Sequence, residues 1–339
     1  MPDFLLTVAV PTFDRAPLLA QTLASIADAC RETTEPVEVL VVDNASADNT
    51  RDVVAGFAGA IPALRYECQH ANVGGEANFF SCIDRARGRH VWVVGDDDVV
   101  ERNAVVSILS ALHGGAGAVV VNYSVYASDL QTVIKPRFFT EPRDRVFEVA
   151  DQVLERFGAA LGFTAAVVVN RERVLGAGRD AFMRHAGVGL AFLDSAYRSL
   201  VGASVAYLAE PLVRNRGANS RDLSTGAVGW SSESWDRVFV GGMQQVLAGL
   251  SAHGYSRRAV RRAVRRARNL SIRMYVPERL RFLRRTRRPW QATVRALMQH
   301  AYTVPSVWTR ALPMLLIPRS ILQVTPALRR RRHRRRSNP

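Results

Sequence analysis

The first part of the chain alternates short apolar runs with segments of helical periodicity. Four strands are predicted from the apolar runs at 4–10, 37–43, 63–68 and 90–94. Between them, apolar residues recur three and four positions apart, which predicts one helix that ends near residue 29 and another at about 50–57. Strands that alternate with helices in this way indicate an α/β fold built on a mostly parallel sheet.

The pattern continues with less regularity and then changes character. It predicts a helix at about 102–113, followed by strands at 116–126, 163–170 and 204–216. From about residue 228 onward, arginines surround an apolar stripe of Ala259, Val260, Ala263, Val264 and Ala267. The predicted organisation is a catalytic domain at 1–227 with halves 1–125 and 126–227, a basic helical region at 228–328, and a disordered Arg-rich tail at 329–339.

Polar clusters follow three of the predicted strands directly. These clusters are Asp43–Asn44, Asn72–Gly74 and Asp96–Asp98. Ligands of open α/β sheets bind outside the carboxyl ends of the strands, so one crevice is expected to collect all three clusters.

The run Asp96–Asp98 raises a question of charge. Three adjacent carboxylates at the end of an apolar strand repel one another and are costly to bury. Bound Mg²⁺ or Mn²⁺ would offset that repulsion, because both cations prefer oxygen ligands and keep positions open for phosphate oxygens. The alternative is a solvated acidic turn that caps the helix predicted near residue 102.

Charge is divided unevenly along the chain. The total is +16, and residues 251–339 hold 24 arginines and a single acidic residue, Glu278, which leaves residues 1–250 negative. This basic segment also carries Trp290, Trp308 and an apolar run at 305–324 that prolines and arginines interrupt. Such a composition predicts helices that lie in the interface of an anionic membrane; a helical cover for the catalytic domain and a nucleic-acid-binding surface are the alternatives.

The expected location is the cytoplasm, with peripheral attachment to the inner face of the cell membrane. Three cysteines, Cys30, Cys68 and Cys82, give no disulfide framework, and the amino terminus lacks the pattern of a signal peptide. The sequence contains no uninterrupted run of 18 apolar residues, so no membrane-spanning helix is predicted.

Three segments together resemble glycosyltransferase family 2. They are "TVAVPTFDRAPLLAQTLASI", "VEVLVVDNASADNT" and "NVGGEANFFSCIDRARGRHVWVVGDDD", in the order and spacing of that family. The resemblance covers residues 4–125 strongly and 160–220 more loosely, and "NVGGEANFF" with "VGDDDVV" is most similar to the dideoxyhexose (abequosyl) transferase branch. It implies a GT-A fold, a nucleoside diphosphate sugar donor and a divalent metal, Mg²⁺ or Mn²⁺.

The same resemblance implies residues for the donor site. Those expected to bind the nucleotide sugar are Pro11, Thr12, Asp14, Arg15, Asp43, Asn44, Ser46, Asn72, Gly74, Asn78, Asp96, Asp97 and Arg216. Without that context, Asn72–Gly74 would be interpreted as an ordinary turn and Asn78 as a helix cap. Arg216 is expected to meet the diphosphate, with Arg214 as its competitor.

The carboxylate run departs from the family pattern at one position. The commoner strand end is LDxDD, and Gly95 stands here in place of the first acid. Two registers follow: either Asp96 and Asp98 bind the metal, or Asp97 and Asp98 do so. Asp98 is the expected direct ligand, with Asp96 as its partner in the first register.

A carboxylate is also expected where the acceptor is activated. The family places an acid at the start of a helix in its second half, and "AFLDSAYRSLVG" matches there with Asp194 as the catalytic base. The alternatives are that Asp194 merely caps the helix, or that His185 in the preceding loop is the base.

The expected function is metal-dependent, inverting transfer of a sugar to a glycan or lipid-linked acceptor of the cell surface. A nucleotidyltransferase is the alternative enzyme, although "VPTFDRAPL" lacks the glycine of a phosphate-binding loop. An RNA-binding or anionic-surface-binding protein on a degenerate transferase domain is the alternative from another class.

Overall fold

The computed structural model describes residues 4–185, 190–217, 237–272, 276, 280, 283, 290–301, 305 and 307–317. The strands in these ranges are β1 (Phe4–Thr12), β2 (Glu38–Asp43), β3 (Leu64–Cys68), β4 (Gly88–Val93), β5 (Val99–Val100), β6 (Ala118–Tyr126), β7 (Val133–Lys135), β8 (Arg145–Phe147), β9 (Val167–Asn170) and β10 (Val205–Arg216).

Helices cover the connections between the strands and continue beyond the sheet. They are α1 (Ala16–Cys30), α2 (Thr50–Ala55), α3 (Gly75–Arg85), α4 (Ala104–His113), α5 (Ala150–Phe157), α6 (Arg171–Leu175), α7 (Arg179–Met183), α8 (Ala191–Leu200), α9 (Met243–Gly249), α10 (Arg257–Leu270) and α11 (Gln291–Ala301). None of the described helices is long and apolar enough to cross a membrane.

The described strands form a single mixed sheet. Its order is β3-β2-β1-β4-β9-β6-β10-β5, with β7 paired to β6 and β8 to β10. The neighbours among β3, β2, β1 and β4 are parallel, as are β6 and β10, whereas the short strands β5, β7, β8 and β9 pair in the antiparallel sense. The predicted fold class, a mostly parallel open sheet flanked by helices, is therefore confirmed.

One predicted strand is shorter than expected. Residues Thr164–Ala166 form a 3₁₀ turn, so β9 begins at Val167 rather than at 163. The carbonyl of Ala165 in this turn accepts the indole N–H of Trp92 at 2.9 Å. That bond satisfies the polar edge of a fully buried tryptophan.

The chain divides into two compact units. The first comprises residues 1–230 and 246–263, and the second comprises 231–245 and 264–339. The segment 246–263, which the sequence placed in the basic C-terminal region, therefore belongs with the catalytic domain. The predicted boundary at 227 and the predicted tail at 329–339 lie outside the described residues.

Each unit has an apolar core of its own. In the first, side chains of the central strands pack beneath α3 and α8, with Phe80, Val91, Val93, Phe182 and Phe192 among them. In the second, the buried residues are Ile272, Val276, Leu280, Leu297, Val307 and Ala311.

The apolar stripe of α10 is used inside the protein. Ala259, Val260, Ala263 and Ala267 are buried, and Val264 is half-buried. The stripe therefore does not provide a surface for insertion into a membrane, which corrects one basis of the predicted membrane contact.

Candidate functional site

The turns that follow β1 and β2 interlock at the carboxyl edge of the parallel strands. Asp14 has a left-handed backbone, with φ of 48°. Its N–H donates to Ser46 Oγ at 2.9 Å, and its Oδ1 accepts from the N–H of Ala47 at 2.7 Å. The local side-chain bonds allow an aspartate to hold this otherwise unfavourable conformation. Asp14 and Ser46, predicted from separate motifs, therefore meet.

Asp43 supports the same edge from within. Its Oδ1 accepts the N–H and the hydroxyl of Ser46 at 2.9 and 2.6 Å, and its Oδ2 accepts the Tyr66 hydroxyl at 2.5 Å. Burial and this hydrogen bond to Asp43 raise the pKa of Tyr66, so the phenol stays a donor. Asp43 is only 1% exposed. In the structure it shapes the turn, and a contact with a nucleotide base remains a prediction.

The turn after β3 is bound to the turn after β2. Asn44 Nδ2 donates to Asn72 Oδ1 at 2.8 Å, and Asn44 Oδ1 accepts the N–H of Val73 at 2.9 Å. Gly74 has φ of 85°, a value that glycine adopts without strain, and its N–H donates to Asn72 Oδ1. The three polar clusters thus share one edge of the sheet, as predicted from the strand order.

Asn78 lies below this edge rather than on it. Its Nδ2 donates to the carbonyl of Val42 at 2.9 Å, and the residue is 3% exposed. The side chain ties α3 to β2. It is not the cap of α3 either, because that helix begins at Gly75.

Asp96 is engaged by β1 and the turn after it. Thr12 Oγ1 donates to Asp96 Oδ2 at 2.8 Å, and Arg15 Nη1 donates to Asp96 Oδ1 at 2.9 Å. The same Arg15 nitrogen lies 3.2 Å from Asp97 Oδ2. Pro11 is buried in β1 just before Thr12. Arg15 is therefore the internal counter-ion of two of the three carboxylates.

Asp98 is held from the opposite side, by the end of β10. Its Oδ1 accepts Asn215 Nδ2 and the backbone N–H of Arg216, both at 3.0 Å. The Thr22 hydroxyl of α1 donates to the carbonyl of Asp98 at 2.7 Å. β5 begins at the next residue and pairs with β10, so the backbone that follows Asp98 is held in place as well.

Gly95 leaves room where two of these carboxylates converge. A Cβ at this position would lie 3.0 Å from both Asp97 Oδ1 and Asp98 Oδ2. The two oxygens therefore face one small space above the Gly95 backbone. In this geometry Asp97 and Asp98 share a site, while both oxygens of Asp96 already have partners. Both registers of the carboxylate run, Asp96 with Asp98 and Asp97 with Asp98, stay predictions.

Electrostatics support a cation at this place. Burial and the charge of Asp96 raise the pKa of Asp97 to about 6, against the opposing effects of Arg15 and Arg216. Burial, followed by the charge of Asp97, raises the pKa of Asp98 well above its ordinary value. A positive ion would relieve both effects. Within the described residues, no group of three or more His, Cys, Asp or Glu side chains is arranged to hold a metal ion.

The two predicted diphosphate arginines have structural partners. Arg216 is 8% exposed, and its guanidinium donates to the carbonyls of Asp97 and Ser128 and to Gln21 Oε1, at 2.8, 2.7 and 2.7 Å. Arg214 forms a two-bond pair with Glu101, at 2.6 and 2.8 Å. In the structure, Arg216 therefore stabilises the turn that contains Asp97 and Asp98 by hydrogen bonds.

Asp194 lies inside α8 and does not cap it. The helix begins at Ala191, and Leu190 is its N-cap residue. The interpretation of Asp194 as a helix cap is therefore wrong. Its buried carboxylate forms an ion pair with Arg198, with Nη2 2.7 Å from Oδ2, and His185 Nε2 lies 3.8 Å from the same oxygen.

Two residues near Asp194 and the start of α8, Glu76 and His253, were not predicted from the sequence. Glu76 Oε1 accepts the N–H of Ala191 at 3.0 Å and so caps α8 from the first turn of α3. His253 lies close enough for charge effects: burial, Arg198 and Arg184 lower its pKa, and Asp194 opposes them. Glu76 lies within the segment "NVGGEANFF", but its partner is 115 residues away. No local pattern marks His253.

The segment that carries His253 packs against α8. The Tyr255 hydroxyl donates to the carbonyl of Tyr197 at 2.6 Å, and the two rings meet edge to face. Gly254 has φ of 87°, and a Cβ there would lie 3.0 Å from Val201 Cγ1. The turn at 253–255 thus completes the surroundings of Asp194.

Comparisons with known proteins agree with this arrangement. The profile of the family described as "Glycosyl transferase family 2" matches residues 7–186. Abequosyltransferase RfbV of Salmonella typhimurium is 23% identical over 226 residues, which cover 63% of this chain and 67% of that protein. The GalNAc(5)-diNAcBac-PP-undecaprenol beta-1,3-glucosyltransferase of Campylobacter jejuni is 29% identical over 111 residues, or 32% of this chain and 35% of that protein.

A solved structure shows the same fold. The S. aureus TarS fragment 1–349, crystallised in complex with UDP-GlcNAc, superposes with a TM-score of 0.57 at 14% identity, covering 78% of this chain and 72% of that one. The predicted resemblance and the predicted enzyme class are confirmed: the chain belongs to glycosyl transferase family 2 and is a glycosyltransferase.

Proposed function

We propose that this protein transfers a sugar from a nucleoside diphosphate sugar to a glycan or lipid-linked acceptor, with a divalent metal and with inversion at the anomeric carbon. The observation that carries the proposal is the edge at which the turns after β1, β2, β3 and β4 meet beside Asp97 and Asp98. A nucleotide bordered by polar turns would place its diphosphate next to carboxylates that need a cation.

Asp97 and Asp98 would hold the metal, Mg²⁺ or Mn²⁺. Their oxygens converge above Gly95, and burial and mutual repulsion oppose their charges in the free protein. When bound, such a cation neutralises the charge that develops on a leaving diphosphate. Arg15 would remain beside Asp96 and Asp97 and add positive charge to the same side.

The nucleotide would lie against the bonded turns. Residues proposed to border it are Pro11, Thr12, Asp14, Arg15, Asp43, Asn44, Ser46, Asn72 and Gly74. Because hydrogen bonds join these turns to one another, they would need little further ordering when a donor binds.

The acceptor would be activated on the side of Asp194. An attacking hydroxyl must lose its proton as it approaches the anomeric carbon, and the carboxylate of α8 supplies the negative charge for that step. Direct displacement of this kind inverts the anomeric centre. Replacement of Asp194 by Asn should lower turnover and spare donor affinity, because the group acts on the acceptor in the transition state.

The names of two similar proteins suggest substrate classes. The Campylobacter protein is named for an undecaprenol-linked acceptor, and the Salmonella protein for an abequosyl donor. We infer an acceptor of the lipid-linked saccharide class and a donor in the range from hexoses to dideoxyhexoses.

A donor screen tests the proposal directly. The protein is incubated with UDP-, GDP-, CDP- and dTDP-linked sugars, with and without MnCl₂, and thermal stability and nucleoside diphosphate release are measured. A metal-dependent rise in stability with one donor and diphosphate release is the expected result. Release of pyrophosphate would indicate a nucleotidyltransferase, and inertness with salt-sensitive RNA binding would indicate an RNA-binding protein.

A lipid-linked acceptor would bring the enzyme to a membrane surface, and α10 offers a basic face for this contact. On a helical projection Arg258, Arg261 and Arg265 lie opposite the buried Ala259 and Ala263. Arg262 pairs with Glu155 of α5, at 3.0 Å, so the helix is anchored beside the acceptor half. The exposed arginines of this face include Arg258, Arg261 and Arg265.

The contact is tested by vesicle flotation. Replacing the three exposed arginines by Gln should weaken binding to phosphatidylglycerol-containing vesicles by roughly a hundredfold, since each contributes about 1 kcal/mol at an anionic surface. A control variant removes the same charge from exposed arginines elsewhere, at Arg87, Arg89 and Arg143. Equal losses in both variants would show that only net charge matters, and no binding by the wild type would exclude the contact.

A further inference from the structure

The first turn of α8 carries Asp194 and begins at a residue whose side chain cannot cap the helix. Leu190 is the N-cap residue, and it has no side-chain oxygen that could accept a backbone N–H. The N–H of Asp194 donates to the carbonyl of Leu190 at 3.3 Å, so Asp194 is attached directly to this first turn. The position of the turn therefore determines where the carboxylate of Asp194 lies.

The acceptor that the N-cap residue does not provide comes from α3. Glu76 Oε1 accepts the N–H of Ala191, the first residue of α8, at 3.0 Å, and this bond is buried. Hydrogen bonds to a charged acceptor are stronger than those between neutral groups. Loss of the acceptor would leave a buried N–H without this partner, which is costly. Glu76 therefore connects α3 to the start of the helix that carries Asp194.

The helix α3 is itself fixed to the edge of the sheet that is proposed to bind the donor. It begins directly after Gly74, whose N–H donates to Asn72 Oδ1 at 2.9 Å. Further along the same helix, Asn78 Nδ2 donates to the carbonyl of Val42 in β2 at 2.9 Å. Glu76 lies between these two attachments, so the position of its carboxylate follows that of the donor edge.

Apolar packing brings the same helices together. Phe80, one turn after Glu76, meets Phe182 of α7 edge to face, with ring centroids 5.2 Å apart. Ala191 and Phe192 of α8 are buried in the same core. Apolar contacts have no preferred direction, whereas a hydrogen bond has one. Packing therefore holds α8 near α3, and the bond from Glu76 fixes the position of its first turn.

We propose that Glu76 is a positioning residue that sets the distance between the donor site and the carboxylate of Asp194, through the first N–H of α8. The inference rests on the proposed function, because it concerns the geometry of that same transfer. In this role Glu76 touches neither substrate. Its loss should change turnover rather than donor affinity, since displacement of a reacting group by about 1 Å can lower a rate about a hundredfold.

The test compares three substitutions of Glu76. Glu76→Gln keeps a carbonyl oxygen at the same reach, Glu76→Asp keeps the charge on a side chain one methylene shorter, and Glu76→Ala keeps neither. Nucleoside diphosphate release from UDP-, GDP-, CDP- and dTDP-linked sugars is measured with MnCl₂ and with water as the acceptor, per folded protein. We expect kcat to fall by about tenfold or more in Glu76→Ala and Glu76→Asp with the donor KM unchanged, and Glu76→Gln to restore most of it.

The opposite end of α8 provides a matched control. Arg173 of α6 donates to the carbonyl of Val201 at 2.7 Å, and the N–H of Arg173 donates to Asn170 Oδ1 at 3.1 Å. Asn170→Ala therefore removes a capping acceptor, as Glu76→Ala does, from a helix that contacts α8 at the end away from Asp194. We expect this variant to lose stability and to keep the wild-type kcat.

Four results in these assays would overturn the proposal. Wild-type kcat in Glu76→Ala would show that the bond does not position Asp194. An equal loss in Asn170→Ala would show that loosening α8 at either end has the same effect. Recovery in Glu76→Asp and not in Glu76→Gln would assign the effect to charge, and a raised donor KM with unchanged kcat would place Glu76 in the donor site.

Amide hydrogen exchange separates this inference from the proposed function. The N–H of Ala191 should exchange roughly fivefold faster in Glu76→Ala than in the wild type or Glu76→Gln, a factor that corresponds to the loss of a typical helix cap. If the wild type releases nothing from any donor, the proposed function fails, whereas exchange still shows whether Glu76 holds the start of α8. Equal exchange in all three proteins would overturn the inference, whatever the wild-type activity.

Discussion

Glu38 and Asp98 are both buried carboxylates on the same sheet, but their surroundings differ. Glu38 accepts the Thr7 hydroxyl at 2.6 Å and the N–H of Arg87 at 2.8 Å, and Arg65 neutralises its charge with Nε at 3.0 Å. Asp98 receives two neutral donors and stands beside the like charges of Asp97 and Asp96. Arg65 neutralises the charge of Glu38, whereas the neutral donors to Asp98 leave its charge in place.

The difference distinguishes an acid whose charge is neutralised within the fold from acids whose charges repel one another. A buried charge with a full set of partners contributes to the native state, and a buried charge among like charges opposes it. Burial alone does not separate the two classes, because Glu38 is 1% and Asp98 2% exposed. The partners do.

The largest expected effect is on catalysis and comes from Asp98→Asn. The amide oxygen can still accept from Asn215 and Arg216, so the free energy of unfolding should be unchanged or higher once the opposing charge is gone. Turnover should fall about a thousandfold, because a metal contributes several kcal/mol to the transition state and each 1.4 kcal/mol is a factor of about ten. Diphosphate release and urea unfolding measure the two quantities; a large loss of stability would contradict the comparison.

Glu38→Gln should show the opposite behaviour. Removing the charge leaves Arg65 with a weaker partner in a buried place, so the free energy of unfolding should fall by about 2 kcal/mol. The folded fraction should keep wild-type turnover. Urea unfolding and a rate normalised to folded protein test this, and Glu67→Gln, at a more exposed partner of the same arginine, is the control.

A bound metal should stabilise the proteins that keep Asp98 more than it stabilises Asp98→Asn. At a free MnCl₂ concentration ten times the Kd, mass action adds about 1.4 kcal/mol to wild type and to Glu38→Gln alike. Asp98→Asn should show a much smaller rise in melting temperature. An equal rise in all three proteins would place the metal elsewhere.

The smallest effect is expected from Arg15→Gln. Without the counter-ion that bridges Asp96 and Asp97, the metal-free protein should lose about 1 kcal/mol of stability. MnCl₂ should then stabilise this variant more than wild type, because the metal meets less competition from positive charge. Arg31→Gln, which breaks an exposed pair with Asp28, should change stability by less than about 0.5 kcal/mol and show wild-type metal dependence.

The sequence was informative about residues whose position depends on the order of the strands. Apolar runs located β1 to β4, and because parallel strands end at one edge, the clusters Asp43–Asn44, Asn72–Gly74 and Asp96–Asp98 could be placed together from strand order. Asp14 and Ser46 were predicted only through the family resemblance. What each side chain does there could not be predicted. Asp96 is bonded to Thr12 and Arg15, and Asn78 points into the fold, because such partners depend on side-chain packing rather than on periodicity.

The acceptor side was predicted less completely, for a physical reason. Asp194 was predicted through the family resemblance. Glu76 bonds to the N–H of Ala191 and His253 lies close enough to be affected by the charge of Asp194, and neither hydrophobic pattern nor charge encodes a proximity of such long separation along the chain. Charge also follows a different division from packing, since the arginines around 257–268 suggested a separate region, whereas 246–263 belongs to the catalytic unit.

The contact between Tyr255 and Tyr197 has a consequence for shortened forms of the chain. The two residues are 58 positions apart, and the turn at 253–255 is needed to finish the surroundings of α8. The contacts of Asp98 with Asn215 and Arg216, by contrast, need no residue beyond 216. A chain shortened to end between residues 217 and 252 would therefore keep every residue of those contacts and lose the contact of Tyr255 with α8.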